Sequence, residues 1–257
     1  MSSKSKGAEP ENGSGLLSMY RQARLIGAAA LRWAFPERAQ NRAYLRRSYN
    51  FESPIERGRH ARTLSAVAQR LGPSALGEVL EVGCAEGAFT VELAKCSRSV
   101  TACDISAVAC ARAAQRCSGY ANISLRHCDI VKASIGGPYD LILAMAVLEG
   151  IFGLKRLRRA VIKLVEAIRP GGFLVVNVFD LPGELQRAWW ARWFLESKDR
   201  HIEALCKHPS LRLVHAESYP GPGLSVPGYA HPVIILLEKT GASQARDSDL
   251  SKGAASL

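Results

Sequence analysis

The sequence has no apolar run approaching the roughly eighteen residues that a membrane-spanning helix needs. The nearest candidate, Leu25 to Phe35, is interrupted by Arg32 and preceded by a polar stretch with Glu9 and Glu11, so neither a span nor a signal or transit peptide is expected. Seven cysteines lie at positions 84, 96, 103, 110, 117, 128 and 206, but no two form a CxxC pair and none joins a histidine at zinc spacing. The usual sequence grounds for a metal centre are therefore missing. The thiols read as reduced and mostly buried, as in a cytoplasmic protein, and a chain of 257 residues needs no disulfides to hold a core. No internal repeat suggests a solenoid, and no oligomeric state is specified.

Acidic residues are also in short supply, 23 against 34 Lys and Arg, for a net charge of +11. The excess is unevenly spread. Residues 1–50 hold nine Lys or Arg against three Glu, more than half of it. A second basic cluster, Lys155, Arg156, Arg158, Arg159 and Lys163, shares a helical period with Leu154, Leu157, Val161, Leu164 and Ile168. It reads as the solvated face of an amphipathic helix, without the interleaved aromatics of a strand-binding surface. Charge thus argues against nucleic acid as the partner and leaves the arm's role open.

Composition divides the chain. Residues 1–15 and 240–257 are polar and small, with too little apolar surface to offset ordering, and are expected as disordered tails. Residues 16–50 form a basic, Ala/Arg/Leu-rich arm of helical propensity that Pro36 should break in two. It reads as a helical arm packed on the domain, with a membrane surface or acidic partner as the second possibility. From 51 to 239 the text settles into one domain. Short apolar runs at Glu78–Val82, Ser99–Cys103, Ile123–His127, Leu141–Ala144 and Phe173–Val178 alternate with helical periods, and runs at Leu211–Ser218 and Val233–Glu238 close it. That pattern predicts an α/β fold: a Rossmann-like, doubly wound, seven-stranded and mainly parallel sheet with helices on both faces.

The first strand runs into Gly83-Cys84-Ala85-Glu86-Gly87, a glycine turn before a helix. Such a turn lets backbone approach a ligand and offers it the free N–H groups of the helix start. The spacing is GxxxG and not the GxGxxG that cradles a pyrophosphate, which disfavours a dinucleotide. Asp104 ends the second strand, twenty-one positions after Gly83, where a carboxylate can accept from ribose hydroxyls. Ser106 is the better cap for the helix that follows, which frees Asp104 for a ligand. Asp129 closes the third strand, so three strand ends meet at one crevice.

With these residues, Tyr139-Asp140-Leu141-Ile142 opening the fourth strand and Arg169-Pro170-Gly171-Gly172 before the fifth, the chain resembles the class I S-adenosylmethionine methyltransferases over roughly Leu80 to Lys239. The run Leu80 to Thr90 and the upstream Glu56-Arg57-Gly58-Arg59-His60 are similar to the NodS family, nodulation-type methyltransferases acting on the amine of a chitooligosaccharide. The resemblance implies S-adenosyl-L-methionine as cofactor. It implies Gly83 and Gly87 facing its methionine part, Asp104 holding the ribose, and Asp129 with Ile130 bordering the adenine. Glu81, Cys84, Ala85, Ile105 and Ala146 complete the expected cofactor shell.

For the acceptor, the fourth strand leads to Glu149-Gly150, where related enzymes often carry Glu-His. Glu149 fits an acceptor-side base and equally a helix-start or structural hydrogen bond. His60, with Arg57 and Arg59, fits either a catalytic place over the cofactor or a solvated helix end. Trp189, Trp190, Trp193 and Phe194, with Arg187 and Arg192, fit a sugar- or ring-binding pocket or core packing. The leading expectation is N- or O-methylation of a small molecule, an amino sugar or specialised metabolite among them. The alternative is an RNA or protein methyltransferase served by the arm, and a third reading keeps the fold without the catalysis. The chain lacks the Asn-Pro-Pro-Tyr and Pro-Cys motifs of base-amine and cytosine methylation.

Overall fold

In a computed structural model of the chain, residues 12–46, 53–71, 76–178, 198–218 and 233–241 are described. Three helices come first: α1 (Asn12–Ala34), α2 (Pro36–Arg46) and α3 (Pro54–Leu71). Then follow β1 (Leu76–Val82), α4 (Ala88–Ala94), β2 (Ser97–Asp104), α5 (Ala107–Cys117), β3 (Ile123–His127) and β4 (Tyr139–Met145). A 3₁₀ turn (Leu148–Gly150), α6 (Leu154–Ala167), β5 (Ile168–Val178), α7 (Lys198–Cys206), β6 (Leu211–Ser218) and β7 (Val233–Lys239) complete the order.

The strands form one sheet in the order β3-β2-β1-β4-β5-β7-β6. Pairs from β3 through β5 are parallel, while β7 runs antiparallel to both β5 and β6. This is the Rossmann-like architecture the alternating pattern predicts. Consecutive residues of the central strands face opposite cores, as the pleat requires. Leu80, Ile142, Leu174 and Leu237 lie in register and pack under Leu157, Leu164 and Leu205 of α6 and α7. Val79, Leu141, Val175 and Leu236 face the other way, toward Phe89 and Leu93 of α4 and Val67 of α3.

All seven expected strands form; β1, β2, β4, β5 and β7 are longer than their apolar runs, and the shifts at β5 and in the arm have physical reasons. β5 begins at Ile168, five residues before Phe173, because Arg169 to Gly172 bulge out of a pairing that steps from Tyr139↔Ile168 to Leu141↔Phe173. Gly171 takes φ 77°, and a Cβ on Gly172 would lie 2.9 Å from the Asp140 carbonyl oxygen. In the arm, Pro36 ends one helix and starts the next. α1 starts at Asn12, however, so residues 12–15 of the expected tail are helical: extending a formed helix adds a hydrogen bond for each residue fixed.

Candidate active site

The strand order reverses between β1 and β4, and in open α/β sheets ligands bind outside the carboxyl ends of strands at that point. Here the glycine turn is held from below. The Gly83 and Cys84 N–H groups both donate to the Cys103 carbonyl, at 2.7 and 3.0 Å, and Gly87 N–H donates to Cys84 O at 2.9 Å. Gly83 (φ 77°) and Gly87 (φ 80°) are left-handed, and so are Ala85 (φ 51°) and Ala146 (φ 57°), non-glycine residues in a region that costs roughly 1–2 kcal/mol each. All four lie among the expected cofactor positions. The two glycines serve different ends: a Cβ on Gly83 would sit 2.3 Å from Val147 Cγ2, just past the end of β4, while one on Gly87 would sit 2.9 Å from Cys117 Sγ. Gly87 therefore lets α4 start tightly against α5.

Asp104 is buried at the end of β2. Its carboxylate accepts from Ala85 N–H at 3.0 Å and Ser106 N–H at 2.8 Å, tying the turn to β2, and burial pushes its pKa up. Ser106 caps α5, accepting from Ala109 N–H at 3.1 Å, as the sequence predicts. Ile105 O receives the His127 ring nitrogen at 3.0 Å. At the end of β3, Asp129 Oδ1 accepts from Val131 N–H at 2.9 Å, while Oδ2 is buried without a hydrogen bond, although Lys132 Nζ comes within 3.4 Å. Ile130 is packed in the core.

Beneath the turn, Glu81 is buried on β1 and accepts from the Thr90 hydroxyl at 2.5 Å. Burial raises its carboxyl to about 7, with Thr90 and Arg59 pulling the other way. His60, on α3, is 3% exposed and stacks on Phe89 at 4.2 Å between ring centroids. Burial, and next the charge of Arg59, lower it to about 4, so it is neutral near pH 7. Its Nδ1 lies 3.4 Å from Glu92 Oε2 without a hydrogen bond. Arg59 pairs with Glu56, and Arg57 is exposed.

Past the end of β4, Ala146 N–H donates to Asn177 O at 3.2 Å, joining the ends of β4 and β5. The 3₁₀ turn that follows carries half-buried Glu149, and buried His201 of α7 holds that turn through the Leu148 carbonyl at 3.2 Å. The Trp189 to Phe194 cluster lies outside the described residues. Among the described residues no three potential metal ligands cluster.

The family model for Nodulation protein S (NodS) matches residues 40–190, more than half of the chain. The chain belongs to the NodS family. It is 39% identical over 124 residues to nodulation protein S of Rhizobium tropici, 48% of this chain and 50% of that one. With the Azorhizobium caulinodans protein it shares 35% over 102 residues, 40% of this chain and 49% of that one. The chain thus spans about half the length of the curated relatives it matches. The crystal structure of N-methyltransferase NodS from Bradyrhizobium japonicum WM9, in complex with S-adenosyl-L-homocysteine, superposes with a TM-score of 0.63 at 26% identity, covering 75% of this chain and 92% of that one.

This NodS-family chain brings to the crevice several residues that the sequence reading left aside. Asn41 of α2 caps α5 from the arm: its side-chain carbonyl accepts from the Ser106 hydroxyl at 2.7 Å and Val108 N–H at 3.4 Å. Glu37, one turn earlier, lies 3.2 Å from His127 Nε2. His201 and Asn177 are the others, and only Asn177 gave a signal, as a polar residue inside the apolar run Phe173–Val178. The thiols also pair. A hydrogen bond with Cys110 raises Cys84 and lowers Cys110; one with Cys103 lowers Cys128 to about 7. Asp140 and Arg169, from the motifs behind the resemblance, pair at 2.6 Å at the opposite end of the sheet, where Asp140 also accepts from Glu78 N–H. Their role is structural.

Proposed function

We propose that this chain is an S-adenosylmethionine-dependent methyltransferase whose acceptor is the nitrogen or oxygen of a small molecule, an amino sugar or related metabolite among them. The observation that carries this reading is the set of three strand ends around the glycine turn, with buried Asp129 Oδ2 making no hydrogen bond and only an ion pair with Lys132 at 3.4 Å. An adenine amino group would supply a hydrogen bond to that oxygen, and the half-buried left-handed turn at Gly83, with no side chain of its own, suits the methionine portion. Gly83, Ala85, Asp104, Ile105, Asp129 and Ala146 would hold the cofactor, which supplies an electrophilic methyl group on a sulfonium.

The protein's part is to align the acceptor and manage its proton. Glu149 is the residue we assign to that proton, because its turn lies at the end of β4 and is fixed by His201. His60 we assign to packing: a neutral ring stacked on Phe89, with a pKa near 4, is a weak base.

The test is methyl transfer from labelled donor into metabolite extract and into RNA in parallel, with mass spectrometry of the labelled product. Label in small, amine- or hydroxyl-bearing products is expected. Label confined to RNA or protein would transfer the assignment to the alternative, and failure to bind the donor would end the enzyme reading.

A further inference from the structure

The second arm helix presents different chemistry toward the domain and away from it. On α2, Glu37, Asn41 and Tyr44 recur at intervals of four and three and face the domain: Glu37 meets His127, Asn41 caps α5, and Tyr44 is buried. On the outer side Phe35, Arg38, Arg42 and Leu45 recur at intervals of three, four and three, and all four are exposed, Phe35 at 50% and Leu45 at 69%. The Arg38 guanidinium lies 5.4 Å from the centre of the Phe35 ring. Between α1 and α2 runs a groove of about 690 Å³, rimmed by Arg24, Arg32, Arg42 and Arg46 over a floor of small residues and Leu31.

Of the seven large apolar side chains exposed among the described residues, five are on this arm or at its break: Leu25, Leu31, Trp33, Phe35 and Leu45. Apolar side chains gathered on one appendage mark an interaction surface. Arginine among them identifies the chemistry of what covers it. A neutral protein face would satisfy the leucines and strand the charge, whereas an anionic lipid surface offers phosphate to the arginines and hydrocarbon to Phe35 and Leu45.

We infer that the outer face of the N-terminal arm docks on an anionic phospholipid bilayer, with Arg38 and Arg42 at the headgroups and Phe35 and Leu45 inserted. The inner face of the same helix meets the domain at Ser106 and His127. Docking therefore holds the crevice about one helix diameter, ~10 Å, from the lipid. No helix among the described residues is long and apolar enough to cross a membrane, and the attachment is peripheral.

Co-sedimentation of the full chain with vesicles tests this, using phosphatidylcholine alone and phosphatidylcholine mixed with phosphatidylglycerol. The chain is expected to pellet only with the mixed vesicles and to be released by high salt. Arg38→Gln with Arg42→Gln should weaken retention by about 25-fold, at about fivefold for each basic residue near the surface. Phe35→Ser with Leu45→Ser should weaken it at least about tenfold. Circular dichroism confirms the fold of each variant, and Leu45→Gln alone, at the most exposed position, serves where a double variant fails. Pelleting with neutral vesicles to the same extent, or none with either, overturns the inference. So does retention indifferent to Phe35 and Leu45, a dimer that Leu45→Ser dissociates, or RNA binding through the same arginines tighter than vesicle binding.

Discussion

The two halves of the crevice are built in different ways. On the side we assign to the cofactor, Glu81 to Gly87, Cys103 to Ser106 and His127 to Val131 are short contiguous stretches, each turning at the end of its strand and bound to the next by hydrogen bonds of the backbone. On the side we assign to the acceptor, the turn bearing Glu149 depends on His201, more than fifty residues away, and on the strand end at Asn177. A site that binds one invariant donor can be written into local turns. A site that must fit a particular acceptor is assembled from distant segments.

That contrast can be broken most directly at Gly83. Gly83→Val places a branched side chain in a left-handed backbone and 2.3 Å from Val147, so donor binding should be lost while much of the fold remains. Calorimetry for binding and circular dichroism for the fold decide it, and a native-like variant that still binds would remove the turn from the site. Next in size is Glu149→Gln, which should lower turnover by about 10²–10⁴-fold and leave donor affinity unchanged, the signature of a lost acceptor-side base. If turnover moves only a few-fold, Glu149 is a structural residue of its turn.

Asp104→Ala should weaken donor binding by roughly 1–3 kcal/mol, since it removes a carboxylate that also anchors Ala85 and Ser106. Unchanged affinity in a folded variant would take Asp104 out of the ribose site. A last test, of similar size, separates structure from chemistry. Glu81 is shifted from 4.5 to about 7, so the folded state penalises its ionised form, and stability falls as pH rises through that window. Glu81→Gln should therefore gain up to about 3 kcal/mol over the wild type above pH 7, and the two should converge as pH falls toward 4.5. His60 works the other way. With its pKa lowered to about 4, it loses stability as pH falls from 6.5 toward 4; this window overlaps that of Glu81, so between pH 4.5 and 6.5 the two contributions offset and wild-type melts should change little, while Glu81→Gln should expose the His60 slope.

The sheet, the turn and the carboxylates at its edge were legible because each is encoded by neighbours in sequence. Alternation places Leu141 and Ile142 on opposite faces, GxxxG demands a tight turn, and Ser106 caps its helix whatever lies beyond. Pro36 divides the arm for the same local reason, the missing N–H. Tertiary structure alone decided the rest. His60 and Arg59 share a helix turn with exposed Arg57, and only the approach of Phe89 makes His60 a neutral packing residue. Cys84 and Cys110, read as separate buried thiols, meet because α5 returns beside the glycine turn. Asn41 finds Ser106 across more than sixty residues, and His201 finds Leu148 across more than fifty. Local backbone preference is a property of a few adjacent residues, whereas those partners are fixed only when packing brings remote helices onto a sheet edge, which no short-range pattern in the sequence encodes.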